Sequence, residues 1–490
     1  MTSFIRLAIA VLALFWPVAA AARQDAPPAA TPEAVSQPTT WSGSIALPGG
    51  IKLDFSVDLS SDKGTISIPM QGVRDLALDD VAVSETQLRF VLKPAGAPPM
   101  AYAHFDLKVE PDGTAAGTLK QAGQEFPVTA RRLAEGEKPA SMNRPQEPKA
   151  PFPYAIEDVE FQNAEAGVTL AGTLVVPQTQ GPHPAAVLVT GSGPQDRDES
   201  LLGHRPFLVL ADHLVRHGIA VLRYDDRGVG KSTGSFATAT SDDFAGDALA
   251  AVRFLMTRPE IDAKKIGIVG HSEGGLIAPI CASRSSDVAY IVLLAGTGVP
   301  GAEIIALQGK LIAIANGAPA DQAEQGAAMS AEVFRMIADG TPDDQVAARV
   351  REIAEQQFNA APAAQDLGEE ERTAKIDELV TQNMAQLTSP WFRRFLVMDP
   401  RENLRKVTCP VLAINGSLDL QVPPSQNLPE IEKAVKAGGN TDVTTRELPG
   451  LNHLFQRATT GSPTEYAQIE ETFAPEALTL ITEWITEKTR

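Results

Sequence analysis

The chain has 490 residues, 43% of them hydrophobic and 21% charged. That length supports two or three domains with substantial cores, and the composition excludes an intrinsically disordered protein. A formal net charge of −19 at pH 7 argues against nucleic acid or an anionic membrane surface as a partner.

Met1–Ala22 carries Arg6, an apolar run from Leu7 to Trp16, and the small residues Ala20 to Ala22 at a cleavage-type position. It reads as a secretory signal peptide, because its apolar core is too short for a membrane span. An uncleaved anchor is the alternative. A periplasmic or secreted protein with no stable membrane insertion after cleavage is expected. Residues 23–40, rich in Pro, Ala, Thr and Gln, read as a flexible tether. From 41 to 133 the pattern is β: Ile51, Leu53, Phe55, Val57 and Leu59 alternate strictly, as do Ile66 and Ile68. Phe105, Leu107 and Val109 follow, before a Pro111-Asp112-Gly113 turn. An antiparallel barrel or sandwich is predicted, with a scaffolding, oligomerising or lid-supporting role; it fixes no oligomeric state. Residues 134–153, with Glu-Lys-Pro, Arg-Pro, Glu-Pro and Pro-Phe-Pro, read as the interdomain linker.

From 154 to 490, strands alternate with helices, which predicts a mostly parallel sheet covered on both faces. Pro184–Thr190 is an early strand, and Gly191-Ser192-Gly193-Pro194 is its exit loop. A helix opened by Ser241 shows one apolar face through Phe244, Ala248, Ala251, Val252 and Leu255. The short apolar strand ending at Gly270 is followed by His271-Ser272-Glu273-Gly274-Gly275 and a helix-compatible segment. A strand, a tight glycine-flanked serine turn and a helix form a nucleophile elbow. Gly230-Lys231-Ser232-Thr233-Gly234 satisfies the same five-residue pattern, but lacks a strand before it and a helix after it. Context therefore selects Ser272.

Of seven histidines, only His453 lies downstream of Ser272, on a segment following the predicted strand Val443–Leu448. It is the expected base. Asp419, in the exit loop of the predicted strand Val411–Ile414, is the expected acid, preferred to Asp442 in an ordinary polar turn. Oxyanion donors are expected from the backbone N–H of Glu273 and from Ser192 or Gly193. Between about 297 and 391 the pattern changes to amphipathic helices, and Ser272 and Asp419 stand 147 residues apart (419 − 272). A helical cap inserted over the site is predicted, with Trp391 and Phe392 as candidate substrate-pocket residues.

Competing motifs fail on detail. Gly228-Val229-Gly230-Lys231-Ser232 has Asp225 where a phosphate loop needs glycine, and Gly191-Ser192-Gly193 lacks the third glycine of a dinucleotide fingerprint. His213 and His217 have helical spacing without the adjacent glutamate of a zinc peptidase. Cys281 and Cys409 stand in neither C-x-x-C nor zinc spacing and read as small buried thiols.

Residues from about 155 onward resemble the α/β-hydrolase superfamily, through the elbow and the run Val221–Ser232. More narrowly, Thr190–Glu199, Ser389–Phe392 and Leu418–Pro423 are similar to bacterial serine esterases with an extra N-terminal β-domain. That likeness implies an α/β-hydrolase fold with an inserted cap and a separate all-β domain. It also implies a Ser272–His453–Asp419 triad. Thr190-Gly191 departs from the His-Gly found in many members. The expectation is an exported serine carboxylesterase acting on small-molecule esters through an acyl-enzyme, with neither metal nor organic cofactor. A peptidase or aminoacyl hydrolase on the same site, and a non-catalytic envelope-binding protein, are the alternatives.

Overall fold

The computed structural model describes residues 38–490 apart from 47–51, 61, 69–72, 94–101, 122–123, 135–136, 138–142 and 361–367. The expected signal peptide, most of the tether and part of the linker lie outside the described residues. The chain forms two compact units that part between Asn143 and Arg144.

Among the described residues, the N-terminal unit holds nine antiparallel strands: β1 (Thr39–Ala46), β2 (Lys52–Leu59), β3 (Gly64–Ile68), β4 (Val73–Ala77), β5 (Asp79–Val83), β6 (Gln87–Leu92), β7 (Ala103–Val109), β8 (Thr114–Gln121) and β9 (Gln124–Arg132). Their order is β4-β3-β2-β1-β9-β8-β7-β6-β5. The two edges, β4 and β5, are joined by Leu78 alone, so the sheet curls into a nearly closed barrel. Alternation drives this: Leu53, Phe55, Val57 and Leu59 are all buried while their neighbours face outward. Inside, Phe105 stacks on Phe90 with ring centres 4.6 Å apart.

The second unit, Arg144–Ser200 with His204–Arg490, is built on eight strands. They are β10 (Tyr154–Asn163), β11 (Val168–Pro177), β12 (His183–Val189), β13 (Ala220–Tyr224), β14 (Ile261–His271), β15 (Ile291–Leu294), β16 (Val411–Gly416) and β17 (Val443–Leu448). The order is β10-β11-β13-β12-β14-β15-β16-β17. From β13 to β17 every pairing is parallel, and β10 and β11 are antiparallel additions. Helices α1 (Pro206–Arg216), α2 (Ser241–Met256) and α3 (Glu273–Arg284) connect the central strands, α10 (Pro424–Ala437) connects β16 to β17, and α11 (Pro475–Lys488) follows β17. Apolar side chains fill both faces of the sheet, which is why its central strands are continuous hydrophobic runs. Between β15 and β16 the cap helices intervene: α4 (Gly301–Ala315), α5 (Ala320–Ala338), α6 (Asp343–Ala360), α7 (Glu369–Leu387) and α8 (Pro390–Val397), followed by the short α9 (Pro400–Leu404). This is an α/β-hydrolase fold with an inserted helical cap and a separate N-terminal all-β domain.

One local expectation is met and another needs adjustment. Helix α2 opens at Ser241 as expected, behind Thr240, whose N–H and hydroxyl both donate to Asp243 Oδ2 at 2.9 and 2.8 Å. Ser241 is thereby released for the site. The expected linker is, from Arg144 onward, fastened to the catalytic unit. The Arg144 guanidinium donates to the carbonyls of Ile469 and Ala467 at 2.7 and 2.9 Å. The Gln146 side chain accepts from the N–H groups of Thr472 and Phe473 and donates to the Phe473 carbonyl at 2.6 Å. Proline content suggested a spacer; the polar side chains between the prolines satisfy backbone groups that would otherwise be exposed.

Candidate active site

Ser272 sits between β14 and α3 with φ 52° and ψ −111°, a left-handed conformation that costs a non-glycine residue energy. The surrounding glycines make the turn possible. A Cβ on Gly270 would lie 2.0 Å from the Gly274 carbonyl oxygen, and one on Gly274 would lie 2.1 Å from that of Val189. The Ser272 N–H donates to the Leu294 carbonyl at 2.8 Å, pinning the turn to the neighbouring strand. Glu273 opens α3, where its own N–H has no intrahelical acceptor and the helix dipole favours negative charge.

Asp419 and His453 meet, although 34 residues apart. The His453 Nδ1 lies 3.0 Å from Asp419 Oδ1 and 2.9 Å from Oδ2. Asp419 Oδ1 also accepts from the N–H groups of Gln421 and Val422, at 2.9 and 2.8 Å, which fixes the carboxylate in its loop. Both side chains are buried. Between the His453 segment and the elbow there is a direct tie: His271, next to Ser272, contacts the His453 carbonyl through Nε2 at 2.9 Å, and the two rings lie 4.8 Å apart.

The loop after β12 closes over the elbow. A Cβ on Gly191 would lie 3.3 Å from the Ser272 Cβ. The Gly191 N–H is already taken by Glu199 Oε1 at 2.7 Å. Among the described residues no acceptor faces the N–H of Ser192 or of Gly193, and Gly193 adopts φ 97°, a conformation suited to glycine. Thr190, in place of the histidine common elsewhere, donates its hydroxyl to Asp226 Oδ1 at 3.1 Å.

A pocket beside the elbow is lined by Thr190, Gly191, Gly193, Phe244, Asp226 and Glu273, among others. Glu273 Oε1 accepts from the Ser241 hydroxyl at 2.6 Å and the Trp391 indole N–H at 2.7 Å. Burial pushes the Glu273 carboxyl above its ordinary range, and those two donors oppose the rise. Asp226 is raised well above its ordinary range by burial too, with the neighbouring Glu273 and Asp247 adding to the effect. Trp391 thus reaches the site through Glu273. Phe392 does not: it is 1% exposed and packs edge-on against Phe334 in the cap core, leaving no surface for a substrate.

The rejected alternatives have structural occupations. Ser232 donates its hydroxyl to the Asp225 carbonyl at 2.7 Å and accepts from the Ala171 N–H at 2.9 Å, so it buttresses a strand edge. Asp225 is held by Arg197 through contacts of 3.0 and 2.7 Å. Asp442 pairs with Lys488 at 2.6 Å. Cys281 and Cys409 are free thiols, each pushed up to about 12 by burial. Glu199 and His271 escaped the sequence reading, since a side chain's partner 72 residues away leaves no local mark. The one available signal was a histidine inside the elbow itself.

Two curated relatives share 32% identity over short stretches: esterase EstD of Thermotoga maritima over 143 residues, and thiohydrolase apmlB of Arthrinium phaeospermum over 149. Each match takes in 29% of this chain, and it spans only 34% and 44%, respectively, of those proteins. Among solved structures, the Pyrococcus furiosus esterase Pf2001 aligns with TM-score 0.41 at 17% identity, over 69% of this chain and 92% of that one. Protein PA2218 of Pseudomonas aeruginosa aligns with TM-score 0.42 at 16% identity, over 70% and 96%. A family model described as serine aminopeptidase, S33 matches residues 205–457, which is 253 residues (457 − 205 + 1) and more than half of the 490. That stretch carries the elbow, Asp419 and His453, and the chain belongs to this family of α/β-hydrolases.

Proposed function

We propose that the protein is a serine carboxylesterase that hydrolyses small-molecule esters through an acyl-enzyme. The observation that carries this is the buried Asp419–His453 pair tied by its own backbone to the elbow that presents Ser272. In this reading Asp419 holds the His453 proton on Nδ1, so that Nε2 is free to take the Ser272 hydroxyl proton during attack on the ester carbonyl. The N–H of Glu273, with that of Ser192 or Gly193, receives the negative charge that develops on the carbonyl oxygen. His453 then protonates the leaving alcohol, and water repeats the sequence to release the acid.

The names of the two curated relatives, an esterase and a thiohydrolase, both denote acyl transfer to water and favour esters over amides. The aminopeptidase description of the family model favours the second reading, cleavage of aminoacyl amides at the same site. Turnover of p-nitrophenyl acetate against an aminoacyl-nitroanilide separates the two. Fluorophosphonate treatment followed by mass spectrometry tests the common core: one adduct is expected, absent in Ser272→Ala. An adduct at Ser232 reverses the assignment. Export is proposed from the character of Met1–Ala22 alone, and cell fractionation with and without that segment tests it.

A further inference from the structure

Glu199 is buried, at 3% exposure, and its backbone is left-handed with φ 53°. A carboxylate held in a strained loop conformation away from solvent needs partners that justify it. Its Oε1 accepts from the Gly191 N–H at 2.7 Å and faces His271 Nδ1 at 2.8 Å. The other ring nitrogen, Nε2, faces the His453 carbonyl at 2.9 Å. Both ring nitrogens of His271 therefore meet oxygen acceptors, and neither acceptor has a proton to give when Glu199 is ionised. Only the imidazolium can donate to both. A neutral ring would set one nitrogen lone pair against an oxygen lone pair. Three segments that must be in register meet at this pair: the loop carrying Ser192 and Gly193, the elbow, and the His453 loop.

We infer that Glu199, acting through a cationic His271, is a positioning residue that fixes the second oxyanion donor and the base relative to Ser272. The inference rests on the hydrolase reading above. Neither side chain touches substrate or the reacting atoms in this scheme; both act through the backbone. The groups facing His271 are Glu199 from the loop after β12, Asp419 from the exit loop of β16, and the His453 ring, with Phe455 as an apolar neighbour 6.4 Å away. Burial pulls the His271 imidazole down; the charge and hydrogen bond of Glu199, with the His453 carbonyl and Asp419, outweigh it and leave it raised.

The test uses the full-length enzyme and p-nitrophenyl acetate, with kcat expressed per fluorophosphonate-titrated Ser272. In Glu199→Gln, kcat is expected to fall up to about 100-fold with KM little changed, as for a displacement of catalytic groups rather than a loss of binding. The alkaline limb of the pH profile, where His271 gives up its second proton, is expected to move to lower pH by about 1 to 3 units once the opposite charge is gone. Glu199→Asp keeps the charge but shortens the reach, so kcat is expected to fall while the limb stays near its original place. This variant also decides the matter if Glu199→Gln does not fold. A wild-type measurement stands beside them: with 15N-histidine label at pH 7.5, His271 is expected to carry protons on both ring nitrogens. A neutral His271, or variants that keep the wild-type kcat and pH limb, overturn the inference while labelling of Ser272 leaves the hydrolase reading intact. Wild type that takes no label at Ser272 brings down the hydrolase reading itself, and this inference with it.

Discussion

Replacing Asp419 by Asn is expected to disable the enzyme while leaving its shape alone, and the hydrogen bonds around the carboxylate dictate how. Two backbone N–H groups, of Gln421 and Val422, point at Oδ1 from 2.9 and 2.8 Å. Asn must keep its oxygen there, because an NH2 in that position would face two donors. Its NH2 then occupies the place of Oδ2, 2.9 Å from His453 Nδ1. An NH2 can only donate, so it favours the proton on Nε2, the nitrogen that must accept the Ser272 proton, against the retained Oδ1 acceptor 3.0 Å from Nδ1. The wrong tautomer costs about 10,000-fold in kcat by analogy with other triads, or about 5 kcal/mol in the barrier. The assay is p-nitrophenyl acetate turnover at saturating substrate, with folding checked by circular dichroism and melting temperature. KM is expected to stay within a few-fold of wild type. A loss smaller than about 10-fold, in a variant that folds, would refute the role given to Asp419.

Ser232→Ala removes a hydroxyl that serves the Asp225 carbonyl and the Ala171 N–H, so a stability loss of about 1–3 kcal/mol in urea titration is expected, with kcat per folded molecule unchanged. His204 is held down to about 4 in the folded chain, chiefly by burial and then by the Arg144 charge. The unfolded chain binds its proton from about pH 6.5 downward, so stability is lost as pH falls from about 6.5 to 4, by up to about 3 kcal/mol. Urea midpoints of wild type and His204→Gln at pH 7 and pH 5 check this: the variant is expected to lose less between the two, and an equal loss removes His204 from the account. Trp391→Phe deletes the indole donor to Glu273 Oε1 and leaves Ser241 as its remaining side-chain donor. One hydrogen bond to a charged or buried carboxyl, about 1–3 kcal/mol, is expected to disappear from the cap's attachment, read as faster proteolysis of the cap helices.

What could be read in advance divides along a physical line. The elbow was legible because its features are consecutive: an apolar strand, glycines forced by contacts as close as 2.0 Å, and a helix start. His453 and Asp419 were legible through chain order and their place after strands, since a parallel sheet delivers the ends of its strands to one edge. The barrel and the doubly covered sheet follow from periodicity, which burial along each strand enforces. The pairing of Glu199 with His271 depends instead on a left-handed backbone at a glutamate, where glycine or asparagine would be the readable signal. Hydrophobic patterning offers Trp391 as an aromatic for a substrate pocket; its contact is made by the indole N–H, a polar handle that such patterning does not register. The docking of Arg144 and Gln146 was hidden for a similar reason, because proline-rich composition says nothing about the polar side chains between the prolines.

Strands β15 and β16 lie side by side, Ile291 against Val411, yet 116 residues separate them (411 − 294 − 1). A parallel crossover needs only a dozen or so. The surplus is therefore a graft: evolution, or an engineer, can lengthen, shorten or exchange it without asking either strand to shift. Such a transplant would cut the indole link to Glu273, the Arg394–Asp242 bridge at 2.7 Å and the Ser462–Asn316 hydrogen bond at 2.8 Å, and would have to re-cover the apolar side chains that the cap now packs against. Under the hydrolase reading proposed above, a change of cap would alter what reaches Ser272 without altering Asp419 or His453.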